Sequence, residues 1–385
     1  MRRFISHAEM FRFGIESDEI DRIEVVANAG DAEACYKFGR MLYATRLESD
    51  SVQQAEEYFV KAQRGGVVDA DVALGLMWRT GEMGMVDIPM SSALILGALK
   101  KGSEFAAVVV IYDLIFGGVG RNKNPQHAIE MLNDIIPQTD NPLFLLLMGH
   151  AVAQTESLAA SREWYKKAVD AGCIDAYSFY AKAMTHNNSG ELVDADMYTE
   201  LLEKGVEVND YYSQYLLNKH YLERLYPELV AGVERDEFRD STVGMIDAIS
   251  ELAIADAAAL LGDIYQRGLF GIKEDYQRAF SYYSRGAIHN SGICYEMMHD
   301  MITEGLVDGY DTDFADQCAI NGARFGSANM LIETVEAYKS GRLTEFAAEI
   351  EQWYLPVYEA TPSFDEEDID EDDLPDDDGR YDAYA

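Results

Sequence analysis

The sequence predicts an all-α solenoid of about eight to nine stacked helix-turn-helix repeats. Three observations predict it. A set of small and large apolar residues recurs at a step of about 36 residues. Within each half of that unit the apolar residues fall at i, i+3, i+4 and i+7, one face of a helix. Glycine follows each half, where a helix needs a cap.

The first unit sets the pattern. Ala34, Phe38, Gly39 and Met41 make its first half, and Ala55, Tyr58, Phe59, Ala62 and Gly66 its second. Stepping forward 36 residues, Ala70, Leu74, Gly75 and Met77 repeat the first half, and Ala98, Gly102 and Ala106 hold later places. Trp164, Tyr165, Ala168, Gly172 and Ala176 restate the second half, and Ala257, Leu261, Gly262, Ile264, Tyr265 and Gly268 the first. Small Ala and Gly positions let two helices approach, and large side chains fill the gap between them. Gly81, Gly117 and Gly268 are expected to supply left-handed caps after first helices, as Gly66, Gly102 and Gly172 do after second helices. One hairpin cannot bury its apolar face alone, so hairpins stack.

Units then start near Ala34, Ala70, Ala106, Leu143, Ala176, Asp210, Ala257, Ile293 and Met330. The unit from Leu143 lacks the first glycine turn, and its LFLLLMGHAVAQ stretch reads as a deeply packed helix. The unit from Asp210 carries YPELVAGVERDEFRDSTV, an insertion expected to form a loop on one face. The chain divides into an N-terminal capping helix (1–33), the solenoid (34–345), a C-terminal capping segment (346–360) and a disordered acidic tail (361–385). From Ser363 that tail holds twelve acidic residues and one Arg, about −11 of the net −38. Such a run repels itself and stays solvated.

The matches AEACYKFGRMLY with AEEYFVKAQRGGVVDA, ADVALGLMWRTGEMG, SREWYKKAVDAGCIDA and AAALLGDIYQRGLFGIKEDYQRAFSYYSRGA resemble the Sel1-like repeat, a relative of the tetratricopeptide arrays. The resemblance covers roughly residues 30–345. It implies a right-handed superhelix whose first helices line a concave face, and an adaptor role in signalling or complex assembly. Some secreted members carry a disulfide in each repeat. Cys35, Cys173, Cys294 and Cys318 show no such pairing, so the chain looks like a cytoplasmic member. The family shares no catalytic residues to carry over.

The net charge of −38 argues against direct binding to nucleic acid or an anionic membrane surface. It favours solubility, cations or a basic protein partner. No stretch of 18 apolar residues is present. FGGVGRNKN lacks the Lys followed by Ser or Thr that a phosphate-binding loop needs after its last glycine. DGYDTDFAD places Asp313 and Ala319 where a calcium loop needs Gly and Glu. The histidines form no tight ligand pair, and no serine has a nucleophile-elbow setting. Trp78, Trp164 and Tyr265 sit at repeat positions and read as core. No cofactor, metal or catalytic residue is expected.

Counted from the first Ala of a unit, positions 3, 7 and 10 are expected to face the concave groove. Tyr36, Arg40, Arg79, Tyr112, Lys182, Asp263 and Gln266 are the resulting candidates for a peptide- or protein-binding surface. The reading is a non-catalytic interaction scaffold. The alternative is an acidic competitor or chaperone of a basic nucleic-acid-binding protein. An enzyme with its site in the insertion after Tyr226 has no positive support in the sequence.

Overall fold

A computed structural model describes residues 17–46, 50–117, 122–228, 233–252 and 254–360. The acidic tail and the first sixteen residues lie outside them. Among the described residues the chain is helical throughout, apart from one isolated bridge between His186 and Leu192.

Helix α1 (Ser17–Asn28) precedes the hairpins. The hairpins follow in pairs: α2 (Ala32–Thr45) with α3 (Ser51–Arg64), α4 (Val68–Thr80) with α5 (Ile88–Lys100), and α6 (Glu104–Phe116) with α7 (Pro125–Ile135). Next come α8 (Leu143–Thr155) with α9 (Leu158–Asp170), α10 (Ala176–Thr185) with α11 (Ala195–Glu207), and α12 (Tyr211–Glu228) with α13 (Val233–Ser250). Then α14 (Ala255–Arg267) pairs with α15 (Tyr276–Ile288), and α16 (Gly292–Thr303) with α17 (Thr312–Arg324). The last first-helix, α18 (Ala328–Lys339), meets a bent segment made of α19 (Ala347–Glu349), a π turn (Ile350–Tyr354) and α20 (Leu355–Ala360). Each helix packs on the next in sequence, which defines an all-α solenoid.

Local chemistry sets the helix starts. Asp31, Asp87, Ser103, Asn124, Ser157, Asp194, Asp275, Ser291, Asp311 and Ser327 each cap a helix by accepting the backbone N–H three residues on. Gly81 (φ 75°, ψ 8°) and Gly268 (φ 65°, ψ 35°) end α4 and α14 in the left-handed conformation. Gly117 departs from the expected cap. Its φ of 74° comes with a ψ of −159°, so the chain leaves α6 extended rather than turning back.

The small-residue positions work as close-approach sites. A Cβ on Gly262 would lie 2.3 Å from the Tyr283 ring, and one on Gly149 would lie 2.5 Å from Tyr165. Gly39 and Gly75 receive Phe59 and Ile95 in the same way. The glycine of a first helix thus seats the large side chain of its second helix.

The two helix types are buried differently. In α14 every residue from Ala257 to Tyr265 is buried, and in α4 every residue from Ala70 to Met77. In α3 the buried set is a single stripe of Ser51, Ala55, Phe59 and Ala62, and in α9 it is Ser161, Tyr165 and Ala168. First helices such as α4 and α14 are enclosed by their own partner and by neighbours on both sides, whereas near the C-terminal end the second helix α17 is the more widely buried. Second helices such as α3 and α9 keep one face in solvent.

The insertion corrects a sequence expectation. Its described residues are helical and lengthen α12 and α13 to 18 residues each. YPE continues the preceding helix, and Glu234, Arg235, Glu237 and Arg239 favour helix in the segment that follows.

Candidate functional site

The seven candidate residues are not assembled into one groove. Tyr36 is 6% exposed and packs its ring 6.1 Å from Phe59, and burial pushes its phenol well up. Tyr112 is 1% exposed and lies 4.5 Å from Phe116. Both are core, which corrects their reading as groove anchors. The register fails because positions 3, 7 and 10 point at neighbouring repeats: Val72, Leu76, Val108 and Ile115 at those places are buried too.

The polar candidates serve the frame. Arg79 pairs with Asp113 of the next first helix at 3.0 Å. Gln266 accepts a hydrogen bond from the Tyr283 hydroxyl at 2.8 Å, joining α14 to α15. Asp263 lies 3.6 Å from Arg267 on its own helix. Arg40 sits 5.3 Å from the Tyr36 ring, half-buried, as Lys182 is on α10. Similar rungs join other first helices: Tyr212 donates to Asp256 at 3.0 Å, and Asn329 to Glu296 at 2.6 Å.

A concave site does occur beside the lengthened helix. A cleft of about 770 Å³ opens between α13, the end of α14, the turn after it and the start of α15. Arg239, Asp240, Val243, Gly244 and Asp247 line one wall. Gly271 to Asp275 with Arg278 line the other, and Tyr265 and Tyr282 form the floor.

The turn is held in an unusual shape. Gly268, Phe270 (φ 56°, ψ 27°) and Gly271 (φ 73°) all have positive φ. A left-handed Phe is uncommon and costs about 1 kcal/mol or more, so the surrounding contacts must impose it. The Asp275 N–H donates to the Tyr265 carbonyl at 2.8 Å and closes the turn. Asp275 then caps α15 by accepting from the Arg278 N–H at 3.0 Å.

The floor is aromatic and the rim is charged. Tyr265 and Tyr282 stack at 5.6 Å and 15°. The Arg278 guanidinium lies 4.1 Å from the Tyr265 ring centre and 5.9 Å from that of Tyr282. Arg285 lies 5.1 Å from Tyr282 and donates to Asp247 at 2.6 Å and Ser250 at 2.5 Å. Arg239 pairs with Asp236 at 3.0 Å and Asp240 at 2.7 Å. Burial raises the Tyr265 phenol, tempered by Arg278. The cleft thus offers both signs of charge and hydrogen-bond donors, over a floor of largely buried tyrosines, that can bind a polypeptide segment. Among the described residues, no histidine, cysteine or serine lines it.

Tyr265 had read as plain core. It is 7% exposed and lines the cleft. Sequence reasoning missed Arg278, Tyr282 and the α13 wall. The available signal was the insertion together with the irregular GLFGIKED turn.

The Sel1 repeat family model matches residues 145–173 and 255–291, the second window spanning α14, the turn and α15. No curated protein matches the chain. Among solved structures, a protective antigen of uropathogenic Escherichia coli with an SLR fold is 18% identical, at a TM-score of 0.38, over 84% of this chain and 75% of that one. A Sel1 repeat protein from Oxalobacter formigenes is 14% identical, at a TM-score of 0.40, over 86% and 93%.

Proposed function

We propose that this chain, a Sel1-like repeat protein, is a non-catalytic cytoplasmic adaptor that binds a peptide or protein partner at the α13 cleft. Sel1 repeats in general serve as protein-interaction scaffolds. The observation that carries the reading is the cleft itself: stacked Tyr265 and Tyr282 under Arg278, walled by the lengthened helix. Arg is among the residues that most often anchor interfaces, and Arg278 is exposed at the cleft while the tyrosines hold it in place. The partly exposed Arg40, Arg79 and Lys182 are proposed as a secondary contact line on the first helices. The net charge of −38 favours a partner with a basic segment.

The test places a photo-crosslinking residue at Val243 or Lys273, in the cleft walls, and captures partners in lysate of the source cells. A single crosslinked protein, lost on Arg278→Ala with folding intact, supports the reading. Capture of the same protein by that variant overturns it. The charge also favours a second reading, an acidic competitor for a basic nucleic-acid-binding protein. There, binding falls steeply with salt and is relieved by added nucleic acid.

A further inference from the structure

We infer that the solenoid is latched into one closed superhelical turn, with the outer edge of its first two repeats locked onto the opposite edge of its last three. In a stack of helical hairpins the turns within repeats run along one edge of the ribbon, and the turns between repeats run along the other. These two edges meet in space only if the ribbon has coiled through about one turn.

They meet twice, in register. The first contact joins the turn inside repeat 1 to the turn between repeats 7 and 8. The Arg46 guanidinium donates to the Ile288 carbonyl at 3.0 Å and to Asn290 Oδ1 at 3.1 Å. Asn290 Nδ2 in turn donates to Glu82 Oε1 at 3.2 Å. The second contact joins the turn inside repeat 2 to the end of repeat 8. The Arg324 guanidinium packs 3.0 Å from where a Cβ on Gly81 would lie. Arg324 also holds Glu349 through two hydrogen bonds of 2.9 and 2.7 Å, and the Val86 N–H points at that carboxylate from 3.5 Å. One repeat of advance on the first edge matches one on the other. A chance touch of two loops does not produce that register.

The contact is dry. The Arg46 and Glu82 side chains are 9% and 10% exposed, and those of Arg324 and Glu349 are 10% and 3% exposed. Glu82 accepts from Arg46 at 2.5 Å, from the Tyr43 hydroxyl at 2.5 Å and from Thr80 at 2.7 Å. Burying charges costs free energy unless every one is paired, and here each is. Burial works to lower the Arg46 pKa, and the Glu82 carboxylate overcomes it and holds the guanidinium above its ordinary value.

Asn290→Gly in the full chain tests the latch, because glycine keeps the left-handed backbone of this turn (φ 63°) and the change removes the side-chain bonds that cross between the edges. The readout is amide hydrogen exchange at Glu82 on one edge and Ser291 on the other, with 145–173 as the internal reference. The expected result is roughly tenfold faster exchange at Glu82, more than 200 residues from the substitution, with the reference unchanged. Small-angle scattering of the same variant shows a larger maximum dimension. Arg46→Met is the second variant and opens the latch from the other side, speeding exchange at Ser291. Faster exchange confined to the neighbourhood of each substitution, with unchanged scattering, overturns the proposal.

Discussion

At the edge junction Arg46 and Glu82 form a 2.5 Å ion pair whose side chains are about one-tenth exposed. In the cleft Arg285 and Asp247 form a pair of nearly the same length, 2.6 Å, with side chains 31% and 37% exposed. Both sites bring tyrosines against arginines: Arg46 lies 4.5 Å from the Tyr43 ring, and Arg278 lies 4.1 Å from Tyr265. Residue types therefore do not tell the sites apart. Solvent does. At the junction every acceptor of Glu82 is engaged from within the chain, whereas the cleft leaves a cavity at its rim for atoms the chain does not supply.

The sharpest way to break this contrast is to remove a carboxylate from each side. Glu82→Ala strands Arg46 and Tyr43 in a dry contact and is expected to lower stability by about 3 kcal/mol or more. Asp247→Ala leaves a partly hydrated Arg285 and is expected to cost about 1 kcal/mol or less. Urea unfolding of the two variants checks both. Equal losses remove the distinction between latch and cleft.

A second lesion asks whether the frame under the cleft is as rigid as the junction. Gly262→Val drives a side chain into the Tyr283 ring and breaks its hydrogen bond to Gln266. The expected cost is roughly 1–3 kcal/mol, read as a fall in thermal midpoint. A midpoint equal to that of the unsubstituted chain shows that the α14–α15 contact yields.

Alkaline titration separates the two environments without mutation. Burial holds the Tyr295 phenol up to about 12, with the Arg46 charge opposing, and it also raises Tyr265. A raised folded-state value means that the stabilisation is full below the ordinary phenol value near 10 and is lost as pH rises toward the folded value. Stability should therefore hold to about pH 10 and decline above it. Phenolate absorbance should appear first from exposed tyrosines and late, with unfolding, from buried ones such as Tyr295. Ionisation of all tyrosines near pH 10 in the folded chain contradicts this.

The smallest stability effect belongs to Arg278→Ala, expected within about 1 kcal/mol of the parent because its cation–π contacts sit at a partly hydrated rim. Its effect on partner capture should be large. A variant that unfolds instead places Arg278 in the frame.

Much of the fold was legible in the sequence because it is local. A helix face of 3.6 residues, a glycine that seats a ring and an Asp or Ser cap are all written within a dozen residues. The start of each first helix follows from them, as at Ala70, which is buried two residues into α4. The site was not legible. Tyr36 and Tyr112 carry interface-type side chains, but only the packing of neighbouring repeats decides that they are buried. The insertion was visible, but its helical form required knowing that α12 and α13 lie side by side. The Arg46–Asn290 contact spans 244 residues, and no periodicity reports a coil's pitch.

That closure also bears on the order in which the chain folds. Nearly every other contact joins neighbours in sequence, so folding can begin in any hairpin and spread outward. By the time the repeats have stacked, their fixed curvature delivers the two edges to each other as parts of one stiff arc, and the latch closes last. Interactions that form after the transition state leave the folding rate unchanged and slow unfolding. Arg46, Glu82 and Asn290 thus govern how long the native state persists, not how fast it is reached.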